Sequence, residues 1–301
     1  MTIYVVPCGL SVLKGWDQRA ALPGAKAGRF VEALGVWAQR TPLTGADPDR
    51  LADHDVIDSA RRALGSAVPD AGLPRWPADI CAETGTLHAK GLRRLTGGDD
   101  RVVLLASDTR TGISAALCVA LLLGDERVAY VSAPAGDGEV AGFRGRLRPG
   151  TATVVRIPGL PQDLNGAVGA IGRVLRAVHE VDEDLQVHLT GGYKATLLHT
   201  LAMTEIVYSQ APERTSAWYT FEGNASGATR IGLRRFPKGY LDVMRAELSR
   251  VKQGLKPQRG PEAFQAEVAW ERYGSGYRLN DFGRGYLAVL GEIPGSNDGS
   301  P

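Results

Sequence analysis

Short apolar strands alternate with amphipathic helices along most of this chain, and this alternation constrains its fold more than any other feature. The apolar runs TIYVVPCG (residues 2–9) and DDRVVLLASDT (99–109) suit strands that are buried on both faces. A helical segment, GISAALCVALLLG (112–124), follows the second run. The pattern predicts an α/β fold with a mostly parallel sheet and helices on both of its faces.

The pattern also divides the chain. The alternation covers residues 1–237. Within this span, the sequence also predicts a helix over 80–95 and a strand over 229–237. Residues 14–77 of the same span read as an insertion or lid. Residues 238–294 predict a small helical or winged-helix-like subdomain with a helix over 261–274 and a cap at Asn280 or Asp281. Residues 295–301 have the composition of a disordered tail.

Composition excludes several classes of protein. The formal net charge of +2 over 301 residues argues against a surface that is basic throughout and binds duplex DNA. The 3 cysteines are scattered and odd in number, which indicates neither a zinc site nor a disulfide framework and favours a reducing cytoplasm. No apolar run is long enough to span a bilayer, so no membrane is expected, and the N-terminus does not read as a signal peptide.

Three loops that follow predicted strands are rich in small and polar residues. They are CGLS (8–11), SDTRTG (107–112) and TGGYK (190–194). In open α/β sheets, ligands bind at the carboxyl ends of the strands, near the point where the strand order reverses. We therefore expect all three loops to border one pocket.

The loop TGGYK begins a helix with a cation. A lysine in the first turn opposes the helix dipole, and an anion near Lys194 would remove this conflict. Gly191 and Gly192 would let the backbone approach a ligand closely, and the helix N-terminus offers free amides to a phosphate. A tight turn with a solvated lysine explains the same residues equally well, and the segment is not a P-loop because GxxxxGK[ST] is missing.

The other two loops each have a functional and a structural interpretation. The hydroxyl groups and guanidinium of SDTRTG suit a phosphate or a ribose, but Ser, Asp and Thr are also ordinary helix N-caps. In the first loop, Ser11 is placed either to contact a sugar hydroxyl or phosphate or to cap a short helix. No GxSxG elbow is present to indicate a serine hydrolase.

The histidines and Glu83 receive no catalytic role from the sequence. The 5 histidines form no HExxH or similar ligand set, so no metal is expected and each histidine reads as structural. Glu83, within CAETGTL (81–87), reads as a first-turn carboxylate, an ion-pair partner or a buried structural acid.

Five motifs then occur in order along residues 1–237: VVPCGLSVL, CAETGTL, VVLLASDTRTG, VHLTGGYKA and AWYTFEG. In this order they resemble the CRISPR-associated Rossmann-fold (CARF) proteins, in the branch that carries a TGG-[FY]-K motif. Gly9-Leu10-Ser11 stands where that family usually has Gly-Thr-Ser. The resemblance implies a Rossmann-like sheet and a homodimer that binds a cyclic oligoadenylate, the second messenger of type III CRISPR immunity, across its two-fold axis.

The resemblance also assigns roles to the loop residues. It implies Lys194 and Ser11 as catalytic residues, with Lys194 directed at a phosphate of the ring. The residues that it implies for ligand binding lie in the three loops: Gly9, Leu10, Ser107, Asp108, Thr109, Arg110, Thr111, Thr190, Gly191, Gly192 and Tyr193.

Within that family, a ring nuclease is favoured because the loop serine and the motif lysine are both present. The segment after Pro237 has no histidine for an R-x4-6-H ribonuclease motif and is too short for a PD-(D/E)xK nuclease core. Such an enzyme would open cyclic tetra-adenylate, or the hexa-adenylate, by attack of a ribose 2′-hydroxyl, with no metal or cofactor. The alternative is a non-catalytic sensor that acts as a transcription regulator or adaptor through its C-terminal subdomain. DNA binding by that subdomain is not favoured, because glutamates interrupt its basic residues.

Overall fold

A seven-stranded sheet forms the centre of the protein. The computed structural model describes residues 1–10, 12, 81–92, 95, 98–124, 127–220, 227–258 and 269–293. The proposed lid or insertion (14–77) and the tail (295–301) lie outside the described residues. The strands are β1 (Thr2–Pro7), β2 (Arg101–Ser107), β3 (Val128–Ser132), β4 (Ala152–Ile157), β5 (Asp184–His188), β6 (Thr215–Tyr219) and β7 (Thr229–Ile231).

The strand order is β3-β4-β2-β1-β5-β6-β7. The first six strands are parallel, and β7 runs antiparallel to β6 at one edge. The seven described helices are α1 (Ala82–Ala89), α2 (Arg110–Leu123), α3 (Val140–Arg144), α4 (Leu164–His179), α5 (Lys194–Gln210), α6 (Lys238–Lys252) and α7 (Asp281–Leu290). The expected mostly parallel α/β sheet of Rossmann-like type is confirmed.

Two hydrophobic cores cover the two faces of the sheet. Along β1, Tyr4 and Val6 face the core that contains α2, whereas Ile3 and Val5 face the core that contains α4. This alternation follows from the two-residue period of a strand. Helices therefore cover both faces, as the apolar runs predicted.

The C-terminal segment packs onto the second of these cores. Leu248 of α6 and Leu287 of α7 belong to it, together with Trp270 and Leu279 of a hairpin formed by β8 (Trp270–Tyr273) and β9 (Gly276–Leu279). Asn280 caps α7 by accepting a hydrogen bond from the Gly283 N–H, as expected. A separate subdomain over 238–294 stays a prediction. No described helix is long and apolar enough to cross a membrane.

Three predicted elements have other bounds or another type. The helix expected over 80–95 ends at Ala89, because the chain turns at Gly91 with a φ of +86°. The strand expected over 229–237 ends at Ile231. The helix expected over 261–274 is wrong at its end, where Trp270–Tyr273 is a strand; residues 261–268 lie outside the described residues.

Candidate functional site

The strand order reverses at β1, at the centre of the sheet. Strand β1 pairs with β2 on one side and with β5 on the other. A crevice at the carboxyl ends of such strands is the usual ligand position in open α/β sheets. The loops that follow β1 and β5, which carry CGLS and TGGYK, are therefore neighbours at this point.

The backbones of these two loops are in direct contact. A Cβ atom added to Gly9 would lie 3.0 Å from the Gly192 nitrogen, and one added to Gly192 would lie 2.6 Å from the Cβ of Pro7. Gly192 also has a φ of +95°, a conformation that L-residues with side chains rarely adopt. The glycines of TGGYK thus allow the β5 loop to pack against the β1 loop.

Helix α5 begins at this contact without a side-chain cap. Lys194 is its first residue, Tyr193 provides no capping hydrogen bond, and no acidic residue lies in the first turn. By contrast, side chains of Thr109, Asp163 and Asn280 cap α2, α4 and α7. In the first turn the Thr196 N–H donates to the Tyr193 carbonyl at 2.9 Å, which leaves the N–H groups of Lys194 and Ala195 available to an anion.

Charge and exposure at the start of α5 reinforce this property. The Lys194 side chain is exposed and makes no ion pair with any residue that the structure describes. Its charge adds to the positive end of the helix dipole. Beside it, Tyr193 is 44% exposed, and Leu10 on the β1 loop is 38% exposed. The two loops thus present a cation, free amides and apolar side chains to solvent.

The β2 loop is occupied by internal contacts. Thr109 accepts a hydrogen bond from the Gly112 N–H at 3.0 Å and caps α2, which is the structural interpretation of SDTRTG. Ser107 Oγ lies 3.1 Å from the Thr109 hydroxyl. Thr111 is exposed on the first turn of α2. The side chain of Arg110 lies outside the described residues, as does Ser11.

Asp108 is held by two partners from the β4 side of the sheet. Its carboxylate accepts hydrogen bonds from Arg156 Nε at 2.6 Å and from the Gly159 N–H at 2.9 Å. Burial alone would raise the pKa of Asp108, but the hydrogen bonds and the charge of Arg156 outweigh it and lower that pKa. Asp108 therefore anchors the β2 loop as a carboxylate.

Helix α1 contacts both the β1 loop and the β5 loop of the candidate site. Oε1 of the fully buried Glu83 accepts a hydrogen bond from the Gly9 N–H at 2.9 Å. A Cβ atom on Gly191 would lie 2.4 Å from the same oxygen. The Gly9 N–H thus points toward α1. Gly9 contributes to the candidate site because, without a side chain, it lets the β5 loop approach the β1 loop closely.

A second contact from α1 reaches the β5 and β6 loops. Oγ1 of the fully buried Thr86 lies 2.9 Å from Oγ1 of Thr190 and 2.9 Å from Oγ1 of Thr220. The Thr190 hydroxyl also accepts the Thr220 N–H at 2.9 Å. The hydroxyl of Thr190 therefore joins loops to each other. Neither Thr86 nor Thr220 was expected at the site, although the quoted motifs CAETGTL and AWYTFEG contain them.

The nearby cysteines are not nucleophiles in this arrangement. Burial raises the pKa of the Cys8 and Cys81 thiols, and the charge of Glu83 raises both further. Both therefore stay protonated at neutral pH. Among the described residues, no group of three or more His, Cys, Asp or Glu side chains is placed to hold a metal ion.

No model of a protein family matches the chain, and no match is found among curated proteins. What supports a function is therefore the motif resemblance together with the geometry of the candidate site.

Proposed function

We propose that this protein binds a cyclic oligoadenylate of type III CRISPR immunity, with cyclic tetra-adenylate favoured, and opens the ring as a metal-independent ring nuclease. The products are linear di-adenylates that end in a 2′,3′-cyclic phosphate. The proposal combines the resemblance of the ordered motifs to CARF proteins with the site at the centre of the sheet.

One observation carries the proposal: an uncapped helix that begins with an exposed lysine meets a glycine loop where the strand order reverses. Free amides and Lys194 suit a phosphodiester. The close approach of Gly9 and Gly192 leaves backbone, not side chains, at the bottom of the contact. Exposed Leu10 and Tyr193 provide apolar surface for adenine bases.

The chemistry asks the protein mainly for alignment. A ribose 2′-oxygen attacks the adjacent phosphorus, and the 5′-oxygen leaves from the opposite side, so these three atoms must be held in line. Lys194 stabilises the negative charge that develops on the phosphate oxygens. Ser11 orients the reacting ribose or phosphate. Each protomer of a two-fold symmetric dimer would supply one such set to a symmetric ring.

The test is cleavage of labelled cyclic tetra-adenylate in the presence of EDTA. We expect wild-type protein to yield linear di-adenylate and Lys194→Ala to lose roughly 10²–10³-fold in rate, as when one oxyanion-stabilising donor is removed. Lys238→Ala is the matched control, because Lys238 also begins a helix without a side-chain cap and is exposed, but it lies on α6. We expect this control to keep the wild-type rate.

Three other results would be informative. If the ring binds but stays intact, the protein would be a sensor and not a nuclease. It would then act through its C-terminal segment as a regulator or adaptor. Binding and cleavage of only cyclic hexa-adenylate would change the ring size and keep the reaction. A chain that binds neither ring would contradict the proposal.

A further inference from the structure

We infer that Glu83 and Thr86 of α1 are positioning residues that hold the β1 loop in register with the β5 loop, so that the groups on the two loops act on one phosphodiester. The inference rests on the proposed function and extends it to a helix that contributes no group to the ligand. From the sequence, Glu83 could be a first-turn carboxylate, an ion-pair partner or a buried structural acid, with no chemistry assigned to it.

The spacing of the two residues explains how one helix reaches several loops. Residues three apart lie on the same face of an α-helix, so Glu83 and Thr86 both face the carboxyl ends of the strands. Glu83 takes the Gly9 N–H of the β1 loop, and Thr86 contacts Thr190 of the β5 loop. The two contacts join loops that are adjacent in space but far apart in sequence.

The contacts are of the kind that fixes geometry. Both side chains are fully buried and their partners Gly9 and Thr190 are partly buried, which shields the hydrogen bonds from most of the solvent. Gly191 is packed so closely against Glu83 Oε1 that no side chain would fit there. A displaced β1 loop would therefore break a hydrogen bond to a fully buried carboxyl group, which is costly. The network favours one arrangement of the loops.

Such a role predicts a specific kinetic effect. Misplacing reacting groups by about 1 Å can cost 10²-fold in rate, whereas binding that is spread over a large ligand is less sensitive. We expect Glu83→Ala and Thr86→Val to lower the single-turnover cleavage rate at least tenfold. The Kd for a cyclic tetra-adenylate with methylated 2′-hydroxyls, which cannot react, should change less than about threefold.

Matched controls separate positioning from general stability. Glu247 is 3% exposed and accepts the Gln258 N–H at 2.8 Å, and Thr204 is fully buried with its hydroxyl bonded to the Thr200 carbonyl; both lie away from the two loops. We expect Glu247→Ala and Thr204→Val to lower the Tm by comparable amounts and to keep the cleavage rate. Glu83→Gln keeps an acceptor for the Gly9 N–H and should restore the rate to within about threefold of wild type.

Three results would overturn the inference. The Glu83→Ala and Thr86→Val variants could cleave at the wild-type rate, the two control variants could lose as much cleavage rate as these α1 variants do, or the α1 variants could bind the ring more weakly without cleaving it more slowly. Hydrogen exchange at the Gly9 amide provides a readout that needs no reaction. It should be slow in the wild type and Glu83→Gln and fast in Glu83→Ala. Equal exchange in all three would overturn the inference even if the ring is cleaved. An intact ring with the expected exchange would contradict only the proposed cleavage.

Discussion

His188 is the residue whose environment conflicts most with its chemistry. It ends β5, is fully buried, and neither ring nitrogen has a hydrogen-bond partner among the described residues. Its ring lies 5.8 Å from that of Tyr4, between centroids. Burial, with a smaller contribution from the charge of Lys90, lowers the pKa of His188 to about 3. His188 is therefore neutral in the folded protein.

This environment makes stability depend on pH. The pKa of His188 is below the unfolded value of about 6.5, so between those values the unfolded chain binds more protons. The contribution is complete above pH 6.5 and is lost as the pH falls toward 3. It amounts to about 2 kcal/mol between pH 7 and pH 5. Burial also lowers the pKa values of His179 and His199, which add to the same trend.

His188→Phe keeps a ring beside Tyr4 but cannot titrate. As the pH falls from 7 to 5, we expect the free energy of unfolding of this variant to fall by about 2 kcal/mol less than that of the wild type. Urea unfolding at the two pH values measures this difference. His188→Gln does not titrate either, so it should show the same weaker pH dependence whatever its absolute stability. Unchanged pH dependence in both variants would mean that the folded protein does not keep this histidine neutral.

The contact between the β1 and β5 loops can be tested at the scale of these elements. At Gly192, alanine would combine an unfavourable φ of +95° with a Cβ only 2.6 Å from the Cβ of Pro7. At Gly254, φ is +79° but no atom of another described residue lies within 4 Å of an added Cβ. We expect Gly254→Ala to cost about 1 kcal/mol of unfolding free energy and Gly192→Ala about 1–3 kcal/mol more.

The difference between the two glycine variants isolates the contact from the cost of the backbone conformation. Thermal and urea unfolding give both values. Equal destabilisation would show that the β5 loop has room to move away from Pro7. We expect Gly192→Ala also to weaken ring binding, whereas Gly254→Ala should leave it unchanged.

Local patterns predicted the elements well where one physical signal was dominant. The buried parallel strands and the Asn280 cap are examples, since apolar runs and capping side chains act over a few residues. The pattern was ambiguous in the segment that ends with Trp270–Tyr273, where a helical spacing continues up to Gly274. These residues form a strand because they pair with β9 across a hairpin turn, in which Gly274 has a φ of +59°.

The site was predictable in part for the same reason. The position of Lys194 at the start of a helix could be seen in the sequence, because glycine, lysine and the apolar face that follows are local signals. The role of Glu83 could not, since its partner Gly9 is 74 residues away and a long-range hydrogen bond leaves no periodic trace. The ion pair between Asp108 and Arg156 was hidden in the same way.

At the scale of the whole molecule, apolar side chains are exposed at the carboxyl ends of the strands, where the candidate site lies. Leu198, one turn after Lys194, is 69% exposed, and Tyr193 and Leu10 are partly exposed nearby. Exposed apolar side chains beside the proposed ligand site suit contact with a second copy of the chain. This surface supports the proposed homodimer and its shared ring.

We expect the protein to be a dimer by light scattering and Leu198→Asp to shift it toward the monomer, because a buried unpaired carboxylate is unfavourable. Leu255→Asp is the control, since Leu255 is 45% exposed beyond the end of α6. It should leave the dimer intact. A monomeric wild type, or equal dissociation in both variants, would contradict a dimer formed through this face.

The central place of β1 has a consequence for biosynthesis. This N-terminal strand pairs with residues 101–105 on one side and with residues 184–187 on the other. At roughly 5–20 residues per second, a ribosome needs about 10–40 s after making β1 to supply its second neighbour. Over that time the apolar strand is open to other partners. Its high contact order favours slow folding, so chaperone supply during synthesis is expected to affect the yield of folded protein.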